Sequence, residues 1–484
     1  MAKLINSNLT SSILKALGIF GGVQVVNILC SIVRTKLIAI WIGSVGVGLF
    51  GIYNSAIELL NSIFQLGIRN SAVRDIANNG QASHTIIVVR RWAIALGLIG
   101  LIITIILSPA LSNFTFGDNK HTTSFFIIAI IILLSSIQSG ELAILQGLQQ
   151  LRRLARASMW GILVGVVLSA PMFFYWGIDS VLPALIIYSL ATTIATLSQR
   201  VNIDKPVPTI TIKETIKKGQ GFITLGIYLT VSAIVTTLVA YLFMTYLNKT
   251  GDTNTVGLYQ AGFTMVNKYV GLIFTAIAME YYPRLSKVVT SPKRVSIFVS
   301  HEMAIALWIL IPIIAIFIAS NELLITILYS SDFLVINSFI VWAIIGTIFR
   351  AISWCIAFVI LARGDGKIYL LTESLSAITS ITLNIIAYNY WGLTGLGLAY
   401  LLWYIAYTLI VASVYKFKYQ LSLGRKMHRL ILFAIVTATA CAIGYSFTGW
   451  YIPAIIALLT IPLSISRLLR KRFDKIKPQA SSSH

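Results

Sequence analysis

Long apolar runs, each bounded by a short cluster of cations, recur from one end of this chain to the other and leave few folds open to it. A bilayer core roughly 30 Å thick is crossed by about 20 apolar residues in a helix, which satisfies its own backbone groups where no water can. Dividing the chain at its polar and Gly/Pro breaks yields fourteen such crossings. They run from 12–42 and 48–68 at the start, through 219–247 and 256–282 in the middle, to 430–445 and 451–468 at the end. The expected fold is an all-α integral membrane protein. With 57% hydrophobic and 11% charged residues, against roughly 25% charged in soluble domains, the chain is not an ordinary soluble enzyme.

The 37 Lys and Arg against 15 Asp and Glu give +22, a balance that in a soluble chain points to nucleic acid. Placement decides otherwise. With the N-terminus in the cytoplasm, 30 of the cations fall on cytoplasmic loops and only Lys120 and Lys249 on the opposite ones. That asymmetry orients a polytopic membrane protein and requires an even number of crossings, with both termini cytoplasmic. Topology and anionic membrane lipids account for the charge, so no nucleic-acid partner is expected. Cys30, Cys355 and Cys441 lie in three separate apolar runs with no pairing or metal spacing and read as small buried residues. The first run is too long for a signal peptide, so the N-terminus is expected to be retained.

The chain repeats itself weakly. Val47-Gly48-Leu49-Phe50 opens the second crossing and Val256-Gly257-Leu258-Tyr259 the eighth; Tyr175-Trp176-Gly177-Ile178 precedes the sixth and Tyr390-Trp391-Gly392-Leu393 the twelfth. Six crossings per repeat is an even number, so the halves would be parallel. The expected organisation is an N-lobe at 1–199, a cytoplasmic linker at 200–218, a C-lobe at 219–416, and a C-terminal helix pair with a basic tail at 417–484. Two such halves suit a monomeric transporter with its substrate site near the membrane midplane.

Polar groups retained within the membrane mark that site. A mid-bilayer cation costs roughly 2.5 to 3.5 kcal/mol and needs a partner or a cavity. On the first crossing, Gln24, Asn27, Ser31 and Arg34 share one helix face, with Lys36 just beyond; on the second, Asn54, Glu58, Asn61 and Gln65 form another stripe. The eighth carries Gln260, Thr264 and Lys268, and Arg350 lies deep in the tenth. Such stripes also serve as glue between helices. Glu58 is a candidate counterion for Arg34, yet four deep cations outnumber it. A cavity lined by that excess suits a phosphate or pyrophosphate head group, with Arg34 or Lys36, Lys268 and Arg350 in contact with it. Glu58, Glu141 and Glu373 are candidates for H+ or Na+ coupling. No metal-ligand spacing, phosphate-cradling glycine loop or catalytic constellation is present, so neither cofactor nor enzymatic activity is expected. Gly43, Gly46 and Gly48 read as turn residues of an outer hairpin.

The run Arg34-Thr-Lys-Leu-Ile-Ala-Ile-Trp-Ile-Gly-Ser-Val-Gly-Val-Gly-Leu49, followed by Leu66-Gly-Ile-Arg-Asn-Ser-Ala-Val-Arg74, resembles the first helical hairpin of Wzx-type polysaccharide flippases of the multidrug/oligosaccharidyl-lipid/polysaccharide exporter superfamily. Val256-Gly-Leu-Tyr-Gln260 and Tyr282-Pro-Arg-Leu-Ser286 are similar to that family's eighth helix, and Arg350 falls where it often places a basic residue. The resemblance covers roughly residues 10–416. It implies two six-helix lobes in a V, with helices 1, 2, 7 and 8 lining a cationic cavity. An undecaprenyl-diphosphate-linked oligosaccharide, the O-antigen of lipopolysaccharide or a related surface-polysaccharide unit, would cross the bacterial inner membrane by alternating access. By the same resemblance, Arg34 or Lys36, Lys268 and Arg350 hold the pyrophosphate; Arg34 and Lys36, two residues apart, cannot share one face. Rival readings are a lipid II flippase, which also has fourteen helices, a cation-coupled multidrug antiporter, and a membrane glycan polymerase or ligase. The antiporter would prefer an acidic cavity, and the polymerase would need large outer loops.

Overall fold

The computed structural model describes residues 2–65, 67, 69, 72–73, 75–76, 83–202, 211, 215 and 227–476, with side chains between Gly22 and Leu469. Most of the expected linker 200–218, the end of the basic tail from 477 and the Glu280 side chain lie outside the described residues. Every long element is a helix. The first half comprises α1 (Ala2–Trp41), α2 (Gly43–Gln65), α3 (Ser83–Phe116), α4 (Thr122–Gly147), α5 (Leu151–Trp176), α6 (Val181–Ser198) and α7 (Ile227–Thr250). There follow α8 (Thr253–Thr264), α9 (Gly271–Val288), α10 (Pro292–Ala319), short α11 (Asn321–Leu328), α12 (Asn337–Ala362), α13 (Gly366–Ser413), α14 (Arg425–Thr448) and α15 (Tyr451–Ile476).

Eleven segments among the described residues are long and apolar enough to cross a membrane. Two of them, Leu151–Ser198 and Gly366–Lys418, hold 48 and 53 residues and so contain two crossings each. The remaining crossing is α8 and α9 joined through a π-helical turn at Met265–Tyr269. The fourteen crossings read from the sequence are thus present.

Contacts divide the chain into two units, 1–260 and 261–484. In the first, α2 is the hub. Its Tyr53, Ile57 and Leu60 pack with Phe125, Ile128 and Ile132 of α4, Val181 and Leu185 of α6, and Tyr241 of α7. Crossing seven and the opening of crossing eight belong to this unit because α7 packs along α2, with Ser62 Oγ 2.8 Å from Thr237 Oγ1. Asn248 Nδ2 also donates to the Thr115 carbonyl at 3.2 Å. At one end of this unit, Glu141 is bound by Arg90 at 2.7 and 3.0 Å and by Arg200 at 3.1 Å. This cluster ties α3 and α4 to the end of α6.

In the second unit α12 is buried nearly all round, as its uniformly apolar sequence requires. It packs along α13, while α10 packs on α14 and α15. The Tyr-Trp-Gly motif recurs as structure in both places. Gly177 and Gly392 take the same left-handed backbone, φ 52° and ψ −131° against φ 58° and ψ −141°. A residue with a side chain would be strained in either place, which explains glycine in both Tyr-Trp-Gly motifs.

Candidate functional site

The middle of α2 presents an unusual surface. From Gly51 to Leu60 every residue is buried except Asn54, which is half-buried, and Glu58, which is exposed. A membrane helix facing lipid would expose apolar side chains there; this one exposes an amide and a carboxylate. Asn54 Nδ2 donates to Glu58 Oε1 at 2.9 Å, and one turn further Gln65 Nε2 donates to Asn61 Oδ1 at 2.9 Å. Among the described residues the stripe is wired along its own helix rather than to a neighbour, which leaves its open face available to water or a polar ligand.

Arg34 is half-buried on α1, one turn after Cys30. Its guanidinium lies 4.9 Å from the centre of the Phe50 ring and 4.6 Å from that of Tyr188. No ion pair joins it to Glu58 among the described residues, and its buried Nε finds no acceptor. The candidate ion pair is not formed among the described residues; aromatic faces carry part of the charge instead. Gln24, Asn27, Ser31 and Lys36 are half-buried on the same helix, with Thr35 Oγ1 bonded back to the Ser31 carbonyl at 2.8 Å.

The second unit supplies the other two cations. Lys268 is exposed within the π-helical turn, a distortion that breaks the α-helical register in mid-crossing and that recurs at functional positions. Thr264, one turn earlier, is buried. Arg350 Nη1 donates to the Asn267 carbonyl at 3.1 Å and reaches Tyr400 Oη at 3.5 Å, while Phe274 and Tyr404 flank the guanidinium at 5.0 and 5.8 Å. Its partners among the described residues are a carbonyl, a phenol and two rings, again with no carboxylate. Of the expected coupling acids, Glu373 accepts a hydrogen bond from the Tyr407 hydroxyl and is half-buried. Glu141 is fully engaged by two arginines in the cluster described above, the environment of a structural ion pair.

At the opposite end of the first unit α2 crosses α8 with the backbones in contact. A Cβ added to Gly48 would lie 1.9 Å from the Thr253 carbonyl oxygen, and one added to Gly257 would lie 1.8 Å from the Ser44 carbonyl oxygen. Ser44 Oγ is hydrogen-bonded to Asn254, and Gln260 packs its side chain over Gly51. Of the hairpin glycines only Gly43 (φ 81°) is a turn residue. Gly46 and Gly48 are helical, and Gly48 is small because another helix passes there. Spacing alone missed this crossing, though the paired Val-Gly-Leu motifs pointed to it. It missed the ring partners of Arg34 and Arg350 because they come from other helices, and spacing along one helix does not reveal how those pack.

A profile of proteins described as polysaccharide biosynthesis protein matches residues 11–338, well over half of the 484. The chain belongs to the polysaccharide biosynthesis protein family. Among solved structures, this family member is similar to the lipid II flippase MurJ in an inward closed conformation, with TM-score 0.73 and 16% identity, over 95% of this chain and 100% of that one. It is similar to an inward-facing multidrug resistance MATE transporter of the MOP superfamily, with TM-score 0.64 and 14% identity, over 86% and 95%. A MOP superfamily transporter from Pyrococcus furiosus, described as having a binding pocket of reverse polarity, gives TM-score 0.59 and 12% identity over 88% and 96%. No curated protein matches the chain in sequence. At these identities the likeness is one of fold. The chain is a multi-pass membrane protein with the fold of MurJ and MATE transporters, associated with polysaccharide synthesis, and the resemblance read from its sequence agrees with this.

Proposed function

We propose that this protein is a flippase that moves an undecaprenyl-diphosphate-linked oligosaccharide, an O-antigen or related surface-polysaccharide unit, across the bacterial inner membrane by alternating access, with both termini in the cytoplasm. The observation that carries the reading is that Arg34, Lys268 and Arg350 lie deep in the crossings with no carboxylate partner among the described residues. Arg34 and Arg350 rest on aromatic rings and carbonyls, and Lys268 is exposed in mid-crossing. An unpaired donor such as Arg34 Nε is the group a diphosphate oxygen would satisfy. The polar face of α2 offers water-like partners to sugar hydroxyls. Arg34 or Lys36, Lys268 and Arg350 are the proposed diphosphate contacts. Glu58 and Glu373 are the proposed sites of H+ or Na+ coupling, whereas Glu141, held by two arginines, serves the fold. The α2–α8 crossing would part when the substrate path opens outward.

The test is complementation of a strain lacking its exporter, together with flipping of a fluorescent lipid-linked glycan in proteoliposomes. Alanine at Arg34, Lys268 or Arg350 should cut transport at least tenfold at normal protein levels. Unchanged transport in all three would overturn the site. A second reading, lipid II transport, is favoured by the MurJ-like fold over 95% of the chain; a panel of both lipid-linked substrates separates the two. A cationic-drug antiporter is disfavoured by the basic excess.

A further inference from the structure

The C-terminal helix pair, α14 and α15, plays no part in the transport reading, yet a cleft opens where it meets α10. The cleft holds about 410 Å³, within the range of small-molecule sites. One wall is a single face of α10, Ile297, Ser300, His301, Ala304 and Trp308. From the first to the last of these the helix rises about 16 Å. The other wall is Gly424, Lys426, Met427 and Leu430 at the start of α14, and Arg467 from α15 completes it.

Its chemistry is graded along that length. At the mouth stand Lys426 and Arg467, both exposed, with His301 and Ser300 beside them. Among the described residues no carboxylate lines the cleft; Glu302, 3.4 Å from His301 Nδ1, lies off it. Gly424, the N-cap of α14, also lines the cleft and supplies no side-chain cap, so the partial positive charge of that helix start lies close to the two cations. Deeper in, the lining is apolar: Ala304, Met427 and Trp308, whose ring lies 5.9 Å from that of Phe433. These helix ends lie at one membrane face, the face where the cation count places the cytoplasm. A phosphate alone would use only the mouth, and a neutral apolar chain only the depth.

We propose that this cleft binds one anionic phospholipid, its phosphodiester between Lys426 and Arg467 and the upper part of an acyl chain along Ala304 and Trp308. Anionic headgroups are abundant at such a face, and basic clefts between membrane helices are suited to them. Lipid bound here would bridge α10 to α14 and α15, holding the extra pair to the body of the second unit. The site is independent of the transported substrate, and the test below reads lipid retention without reading export.

Full-length protein in a neutral detergent is titrated with phosphatidylglycerol, phosphatidylcholine, glycerol 3-phosphate and inorganic phosphate, and bound lipid is followed by native mass spectrometry and thermal shift. Phosphatidylglycerol should be retained and should raise the melting temperature, and the other three should do neither. The double variant K426Q/R467Q should bind it roughly thirtyfold more weakly, given two lost surface cations. R425Q, one residue away and outside the lining, should bind as wild type. Equal retention of phosphatidylcholine would reduce the cleft to a nonspecific apolar groove. Competition by glycerol 3-phosphate or phosphate at equal concentration would reduce it to an ion site. Undiminished binding by the double variant, or an equal loss in R425Q, would likewise overturn the proposal. The ligand series on wild-type protein decides the matter even where the double variant fails to fold.

Discussion

Placing a methyl group at Gly48 tests whether the α2–α8 crossing is a gate. An alanine Cβ there would stand 1.9 Å from the Thr253 carbonyl oxygen and 2.9 Å from the Gly257 nitrogen. Ordinary contact begins near 3.4 Å, so the two backbones must move apart by roughly 1.5 Å, since neither obstacle is a side chain able to swing away. Overpacking of this kind costs about 1–3 kcal/mol. If the crossing opens during transport, that cost falls on the closed state alone and shifts the equilibrium toward the open one by about 5- to 150-fold. In a cysteine-free background, Gln260→Cys, half-buried over Gly51, reports the opening through labelling by an impermeant maleimide. G48A should speed that labelling severalfold and slow export. Because the contact is reciprocal, adding G257A should add less than its own single effect, the gap being already open. Gly22→Ala, with nothing within 4 Å, is the control and should change neither. Labelling and export at wild-type levels in G48A, with normal protein abundance, would refute the gate.

Glu141→Gln should lower the unfolding free energy by about 3 kcal/mol, because it leaves Arg90 and Arg200 facing a neutral amide at a buried position; a melting curve in detergent checks this. Gly177→Ala and Gly392→Ala should each cost about 1–2 kcal/mol, and by similar amounts, since both enter the same left-handed backbone; unequal melting shifts would count against the repeat. The loop acid Asp365 is held below the usual carboxylate range, chiefly by the Tyr419 hydroxyl at 2.6 Å and further by Lys418 at 3.2 Å. A depressed folded-state value means that its stabilisation is present at neutral pH and is lost as pH falls below about 4 toward that value. Tyr419→Phe should therefore flatten the acid limb of the melting temperature against pH.

The number of crossings and the matching Tyr-Trp-Gly turns were legible in the chain because each follows from local chemistry: run length against bilayer thickness, and a motif recurring in order. The α2 stripe was legible for the same reason, since residues three and four apart share a helix face whatever surrounds it. Partnership was not. Sequence counting offered Glu58 as a counterion to Arg34, and the fold instead set Phe50 and Tyr188 around the guanidinium and left Glu58 with Asn54. It offered Glu141 as a coupling site, and the ends of α3 and α6 brought two arginines to it. Gly48 looked like a turn residue until another helix was seen to lie against it. A charge buried in a membrane must be compensated, and the sequence shows that demand. Which group meets it depends on other helices, most of them tens of residues away along the chain, and only their packing decides that.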